Sequence, residues 1–377
     1  MPKNSIPKEF DILVKTPRGL EKIAASRIEE LGGFKAIPRP YGLLGIVLVS
    51  CKGRIPREEA VNLISREVLE AEKVLPVHAI VKADLKAIAN ACREVVRGVI
   101  KEGETFAVRT TRRGRHEFTS IDVNIEAGRV IEELTGASVD LEVPDKIVWI
   151  EILHDIAVIS ITGREVEMKK LWPGKPYALP ILRKISVIQM PYVGSREVAK
   201  EFGKRIGRSV QTFEIGELII GLNKTIEAGV LRAFIEGIEE GIESRYSIQL
   251  RSYGREVHKV PVYVDNLYQI VRDRRDEPLI ATSTKGKPLT EIKNEIVEIF
   301  TKAKRVNVLI GAREGLPAGI MRNSTIIVDL APGITLPTDH AATAALIGLL
   351  TTLEEEGVLP RVRRKREKRT HKSHASS

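Results

Sequence analysis

Three loops rich in glycine and proline close three successive apolar segments in the last hundred residues, and this spacing constrains the fold more than any other feature. They are Ala281 to Lys287, Gly311 to Pro317, and Ala331 to Pro337, the last leading into a helix expected over Thr338 to Leu353. A strand that ends in a flexible turn and passes into a helix, repeated in series, builds a parallel sheet covered by helices. Such α/β sheets bind ligands beyond the carboxyl ends of their strands, so the three loops are expected to face one crevice. Gly311, Gly315 and Gly333 permit backbone conformations that offer N–H and C=O groups to a ligand.

The pattern extends upstream to a strand at Ile185 to Met190, followed by a mostly helical region to Arg245. The first 75 residues instead mix strands at 11–15, 34–38 and 45–50 with helices at 18–30 and 56–69. Leu20, Ile23, Ala24, Ile28 and Leu31 give the first helix an apolar face at the 3.6-residue period. A second unit alternates a strand at 77–81, a helix at 84–101, a strand at 105–110, a helix at 121–134 and strands at 147–153 and 156–162. Trp172-Pro173-Gly174-Lys175-Pro176 reads as a linker, because two prolines and a glycine in five residues defeat helix and sheet alike. The expected organisation is an N-terminal domain at 1–76, a second at 77–167, a linker at 168–181, an α/β domain at 182–359 and a basic tail at 360–377.

The formal charge of +10 is concentrated in that tail, which holds eight Lys or Arg and one Glu, a net +7; the remainder carries only +3. A nucleic-acid partner must therefore be argued from local patches, the tail being either a solvated, disordered run or a nonspecific phosphate-binding arm. The apolar stretch Ala341 to Leu353 has 13 residues, short of the roughly 18 needed to span a bilayer. With only Cys51 and Cys92, and with Lys8, Glu9 and Asp11 where an export signal would be apolar, a cytoplasmic protein without disulfides or a membrane partner is expected. No metal site is expected.

One local patch stands out. Thr105 to His116 contains Arg109, Arg112, Arg113 and Arg115 and no acid. Where a strand runs into an exposed turn, guanidinium forks can meet phosphate oxygens bidentately. A solvated basic loop is the alternative on composition alone. Followed by Phe118-Thr119-Ser120, Val139-Asp140-Leu141, Pro144-Asp145 and Val148 to Ile152, the run resembles the THUMP domain over about Ile80 to Arg164. The preceding unit resembles the ferredoxin-like domain that accompanies it. The resemblance implies a tRNA partner held by the 3′ end of its acceptor stem, with Arg109, Arg112, Arg113 and Arg115 as RNA contacts. Asp140 and Asp145 read as structural.

The three loops, as an ordered trio, resemble the cofactor loops of the SPOUT methyltransferases over about Leu182 to Leu359. What this implies is a deep trefoil knot, otherwise very improbable, binding of S-adenosylmethionine within it, and a homodimer. The carry-over places the cofactor at Ala281 and Thr282, at Gly311, Glu314 and Gly315, and at Leu330, Ile334 and Leu336. In ribose-methylating members an arginine beyond the first strand assists deprotonation; Arg196 is the first candidate and Arg313 the second. Glu314 would orient the site or pair with Arg313, or else simply close its loop. Where many members carry Leu-Asn-x-Ser, this chain has Pro337-Thr338-Asp339-His340-Ala341, with Thr338 expected as N-cap and His340 as structural. Gln189-Met190-Pro191-Tyr192 resembles the Asn-Pro-Pro-Tyr motif of Rossmann-type methyltransferases, but no glycine-rich loop precedes it.

The expected activity is therefore methylation of tRNA, at a ribose 2′-oxygen or, as the alternative, at a base nitrogen; a non-catalytic RNA-binding protein is the reading the altered third loop supports. A ribose hydroxyl is too weakly acidic to ionise near neutral pH, so positioned positive charge suits the task. For the dimer, the apolar residues Ala341, Ala344, Ala345, Leu346, Leu349, Leu350 and Leu353 form a face broad enough for a partner, with core packing as the other explanation.

Overall fold

A computed structural model describes residues 9–53, 55–167 and 169–362. The tail beyond Val362 lies outside the described residues. The first compact unit runs to Trp172 and the second starts at Pro173.

In the first unit, β1 (Ile12–Lys15), α1 (Glu21–Glu30), β2 (Phe34–Pro38), β3 (Ile46–Cys51), α2 (Arg57–Glu67) and β4 (Lys73–Pro76) form an antiparallel sheet in the order β2-β3-β1-β4. This is the ferredoxin-like arrangement, with its helices on one face over Ile12, Val14, Val47 and Val49. Ile23, assigned to the apolar face of α1, is half exposed, while Glu21 is buried. The chain continues as β5 (Ala79–Lys82), α3 (Leu85–Val95), β6 (Thr105–Arg113), α4 (Ser120–Thr135), β7 (Ser138–Val139), β8 (Lys146–Leu153) and β9 (Ile156–Gly163). These strands make a mixed sheet in the order β5-β9-β8-β6-β7. Helix α3 stops short of the expected Lys101, because Gly98 takes a φ of +73° that no helix continues. The two sheets pack face to face through Leu13, Leu48 and Leu75 against Ile147, Trp149 and Val158. Alternation along each strand leaves one face for the helices and one for the other sheet.

The second unit comprises α5 (Leu179–Leu182), β10 (Ile185–Gln189), α6 (Arg196–Phe213), β11 (Glu217–Leu222), α7 (Ala228–Ser252), β12 (Val262–Asn266), α8 (Leu267–Asp273), β13 (Leu279–Pro288), α9 (Lys293–Lys302), β14 (Val306–Ile310), α10 (Ala318–Arg322), β15 (Ile326–Asp329) and α11 (Thr338–Glu355). All six strands are parallel, in the order β12-β11-β10-β14-β13-β15. Helices α6, α7, α9 and α11 cover one face over Val187, Ile220 and Val308. On the other face, α8 and α10 pack over Ile188, Ile219 and Leu309. The region expected to be helical up to Arg245 is in fact two helices separated by β11. Gly203 and Gly207 of α6 face Gly237 and Gly241 of α7, and a Cβ at any of the four would collide with backbone of the opposite helix.

Residues 174–177 pair with 360–362 instead of forming a free linker. The Gly174 N–H donates to the Val362 carbonyl (3.0 Å), the Val362 N–H to Lys175 (2.9 Å), and the Tyr177 N–H to Pro360 (2.7 Å).

Candidate functional site

The four arginines of the run Thr105 to His116 divide into two pairs. Along β6 the odd positions point away from the helical core, so Arg109 and Arg113 meet carboxylates. Arg113 Nη1 donates to Glu151 Oε2 at 2.7 Å, and the other Glu151 oxygen takes the Lys15 ammonium. Glu151 is fully buried, and two cations around one carboxylate are what make a buried charge tolerable. Arg109 donates to the Leu141 carbonyl (2.7 Å) and to Glu167 (3.3 Å). Burial opposes ionisation of Glu167, yet Arg109 and Lys169 hold its carboxyl below the ordinary carboxylate range. Arg112 Nη1 donates to the carbonyl of His116, in its own turn, at 3.3 Å, and its charge, after the N–H and hydroxyl of Thr119, helps to keep Asp122 ionised; Arg115 is exposed. Gly114 has a φ of +117° with His116 and His154 packed around it, so only glycine makes this turn. The loop enters α4 through a capping box between Thr119 and Asp122. Asp140 accepts from the N–H groups of Glu142 and Val143 and closes its own turn, whereas Asp145 accepts from the N–H and hydroxyl of Thr105, 40 positions away, and ties the start of β6 to the segment before β8; both are structural.

In the second unit the carboxyl ends of β14, β13 and β15 are neighbours, so the three loops read from the sequence leave three adjacent strands at one edge. The first differs from its expected form. Strand β13 does not end at Thr282: it bulges over 283–286 and rejoins β15 at Lys287. Gly286 presses on the backbone of Ile327 and Val328 at 2.6–2.7 Å from where a Cβ would stand, which only glycine allows. Ala281 is buried, and the Thr282 hydroxyl donates to the Leu309 carbonyl at 3.0 Å, so these positions offer a ligand backbone before side chain. The second loop is a turn closed by the Gly315 N–H on the Ala312 carbonyl (2.8 Å), and the third by the Ile334 N–H on Ala331 (2.9 Å). Gly315 (φ +75°) and Gly333 (φ +83°) have no atom within 4 Å of a would-be Cβ, so open space lies over both turns. Leu330 and Leu336 are half-buried, and Ile334 is 61% exposed.

Around this rim stand charged side chains. Glu314 pairs with Lys224, which follows β11, at 2.9 and 3.1 Å, and not with Arg313. Arg313 is exposed. Arg196, at the start of α6, donates to Glu227 at 3.0 Å. The backbone N–H groups of Gly229 and Val230, then Arg196, hold the Glu227 carboxyl below its ordinary value. Sequence reasoning misses Lys224 and Glu227 because it misses the strand before them. The start of α11 also departs from expectation: Pro337 occupies the N-cap and Thr338 lies inside the helix, with no side-chain cap. His340 is exposed. The apolar face of α11 is spent largely on the unit's own core, where Ala342, Ala345, Leu346, Leu349 and Leu353 are buried; Ile347 remains half exposed. A depression of about 500 Å³ lined by Asp276, Glu295, Glu298 and Thr325 lies at the opposite, amino-terminal ends of β13 and β15. Lys302 also lines it, paired with Glu298, and it lies away from the three loops.

Comparison with known proteins joins the two units. Residues 82–162 match the THUMP domain, and residues 179–375 match the family described as AF2226-like SPOUT RNA methylase fused to THUMP. An uncharacterized protein of Methanocaldococcus jannaschii is 41% identical over 340 residues, 89% of this chain and 92% of that protein. The tRNA (guanine(6)-N2)-methyltransferase of the same organism is 30% identical over 160 residues, 40% of this chain and 41% of its own. A probable tRNA sulfurtransferase of Saccharolobus solfataricus is 30% identical over 146 residues, 39% of this chain and 38% of its own. The last two similarities thus span about two fifths of those proteins, whereas the first spans nearly all of its partner. With a THUMP domain ahead of a parallel α/β domain of this pattern, the chain belongs to the SPOUT RNA methylases fused to THUMP.

Proposed function

We propose that this protein transfers the methyl group of S-adenosylmethionine to a ribose 2′-oxygen of tRNA, in or near the acceptor stem. The observation that carries the reading is the convergence of the three loops on neighbouring strand ends, in a chain that also holds a THUMP domain. The open space over Gly315 and Gly333 and the backbone character of positions 281 and 282 fit a cofactor gripped mainly by main-chain groups. Gly311, Glu314, Leu330, Ile334 and Leu336 complete its surroundings. A trefoil knot over 182–359 belongs to the same reading.

When bound, the cofactor supplies an electrophilic methyl group on a sulfonium. The protein's part is to align the ribose hydroxyl with it and to stabilise the oxygen's developing negative charge. Arg196 is assigned this second task, with Arg313, exposed on the second loop, as the second candidate. Glu314 fastens that loop. Arg112 and Arg115 are the arginines open to phosphate, and Arg109 and Arg113 shape the surface from beneath. The protein acts in the cytoplasm, as a homodimer through the second unit, where α11 leaves the large apolar side chain of Ile347 half exposed. Sedimentation showing a concentration-independent monomer that methylates tRNA removes the dimer.

Mass mapping of tRNA nucleosides after incubation with labelled S-adenosylmethionine tests the activity. A 2′-O-methylated nucleoside in an acceptor-stem fragment is expected. A base-methylated product moves the chemistry to a ring nitrogen, and no product, with no cofactor binding by calorimetry, leaves an RNA-binding protein.

A further inference from the structure

We propose that segment 223–229, running from the end of β11 into the first turn of α7, is the positioning element of the active site: Lys224 holds Glu314, Glu227 holds Arg196, and Gly229 is the floor on which the Arg196 guanidinium rests. The inference rests on the methyltransferase reading above and adds to it residues that none of the three loops contains.

The geometry is a double clamp from one short stretch of chain. Glu227 is itself fixed, because it caps α7: its two carboxylate oxygens accept from the N–H groups of Gly229 (3.0 Å) and Val230 (2.9 Å). From that fixed point it takes Arg196 Nη2 at 3.0 Å. The guanidinium then lies flat over Gly229, where a Cβ would come within 2.5–2.6 Å of Cζ and Nε. Three residues before Glu227, Lys224 reaches across to both oxygens of Glu314, in the turn after β14. Strands β11 and β14 flank β10, whose carboxyl end leads to Arg196, so the segment spans the rim from one side of that arginine to the other. A long exposed arginine has many rotamers, and a cation useful to a reaction must be confined to few. Glu227 and Gly229 supply that confinement, and Lys224 ties the cofactor turn to the same segment.

Three variants test this in the full-length protein. Gly229→Ala adds one methyl group where the guanidinium lies. Alanine suits a first helical turn at least as well as glycine, so the fold survives and only the flexible arginine tip must move. The expected result is an unchanged melting temperature, unchanged KM for tRNA and a kcat lower by about tenfold or more, short of the roughly 100- to 1,000-fold that follows complete removal of a placed charge-stabilising donor. Glu227→Gln, which keeps an acceptor for the cap, is expected to fall in the same direction by less. For Lys224→Ala, hydrogen exchange at the amides of 311–316 is expected to quicken about two- to fivefold, the size an exposed ion pair supports. The charge-swapped pair Lys224→Glu with Glu314→Lys is expected to reverse it. A wild-type kcat in Gly229→Ala, or unchanged exchange in Lys224→Ala, overturns the proposal. If the wild-type protein methylates no RNA and binds no S-adenosylmethionine, the methyltransferase reading fails, and the exchange measurement alone decides whether the segment holds the turn.

Discussion

A methyl group on Gly207 would stand 2.8 Å from both the Cα and the carbonyl carbon of Ile238, on the facing helix. Helices α6 and α7 therefore touch through backbone, and their separation is set by four glycines. Helix propensity alone favours alanine over glycine by about 1 kcal/mol. Overpacking a contact made of backbone costs about 1–3 kcal/mol or more, since neither side can rotate away. Gly207→Ala should accordingly destabilise the second unit, and thermal unfolding should show Tm lower by several degrees, at roughly 2–4 °C per kcal/mol for a unit of this size. A higher Tm would mean that the helices separate freely.

The two pairs of arginines in the first unit should behave oppositely on substitution. Arg115→Ala, alone or with Arg112→Ala, should weaken tRNA binding across all sequences and reduce the slope of affinity against salt by about one for each phosphate no longer neutralised. Arg113→Ala should chiefly destabilise, because it strips one of two cations from the buried Glu151. Filter binding at several salt concentrations, beside thermal unfolding, separates the outcomes. The comparison belongs in a protein shortened after Val362, which removes most of the basic tail and keeps the strand pairing at 360–362.

Acid should unfasten the N-terminal domain through Glu21. Burial alone would raise its pKa, but the N–H groups of Gly19 and Gly45 and the Arg39 guanidinium outweigh burial and lower it from 4.5 to about 2. A carboxyl whose folded pKa is depressed contributes stability that is complete above its unfolded value and lost as pH falls towards the folded one. Stability should therefore decline between pH 4.5 and about 2, and Glu21→Gln should flatten that part of the profile in denaturant titrations while lowering stability near neutral pH. An unaltered acid limb would locate the sensitivity elsewhere.

Gly315→Trp should abolish binding of S-adenosylmethionine by filling the open space over the second turn. Because φ is +75° there, any side chain adds about 1–2 kcal/mol of backbone strain. Gly315→Ala carries the same strain without the bulk and should keep measurable binding in calorimetry. Equal loss in both variants would point to the backbone conformation alone.

Much of this architecture is legible in the sequence, and what is not has identifiable causes. The β-α alternation and the three loops declare themselves because apolar segments end in glycine and proline. Strand β11, Glu-Leu-Ile-Ile-Gly-Leu, hides because a central parallel strand is buried on both faces and shows no period-two alternation. With that strand hidden, Lys224 and Glu227 are hidden too. Ion pairs such as Arg113 with Glu151, and Lys224 with Glu314, join residues 38 and 90 positions apart, and no local pattern announces them. The bulge in β13 escapes for a related reason: a Thr-Lys-Gly run reads as a turn whether or not the strand resumes after it.

The stitching of 174–177 to 360–362 bears on where the second unit can be cut and rejoined. It brings the first segment of the second unit beside its last described one, so that the described part of the unit closes on itself like a loop with a single seam. A module whose two ends meet can be spliced onto another coding sequence at one point without dividing its own core. Rejoining the ends by a short peptide and opening the chain at a surface turn should yield a circular permutant that still folds.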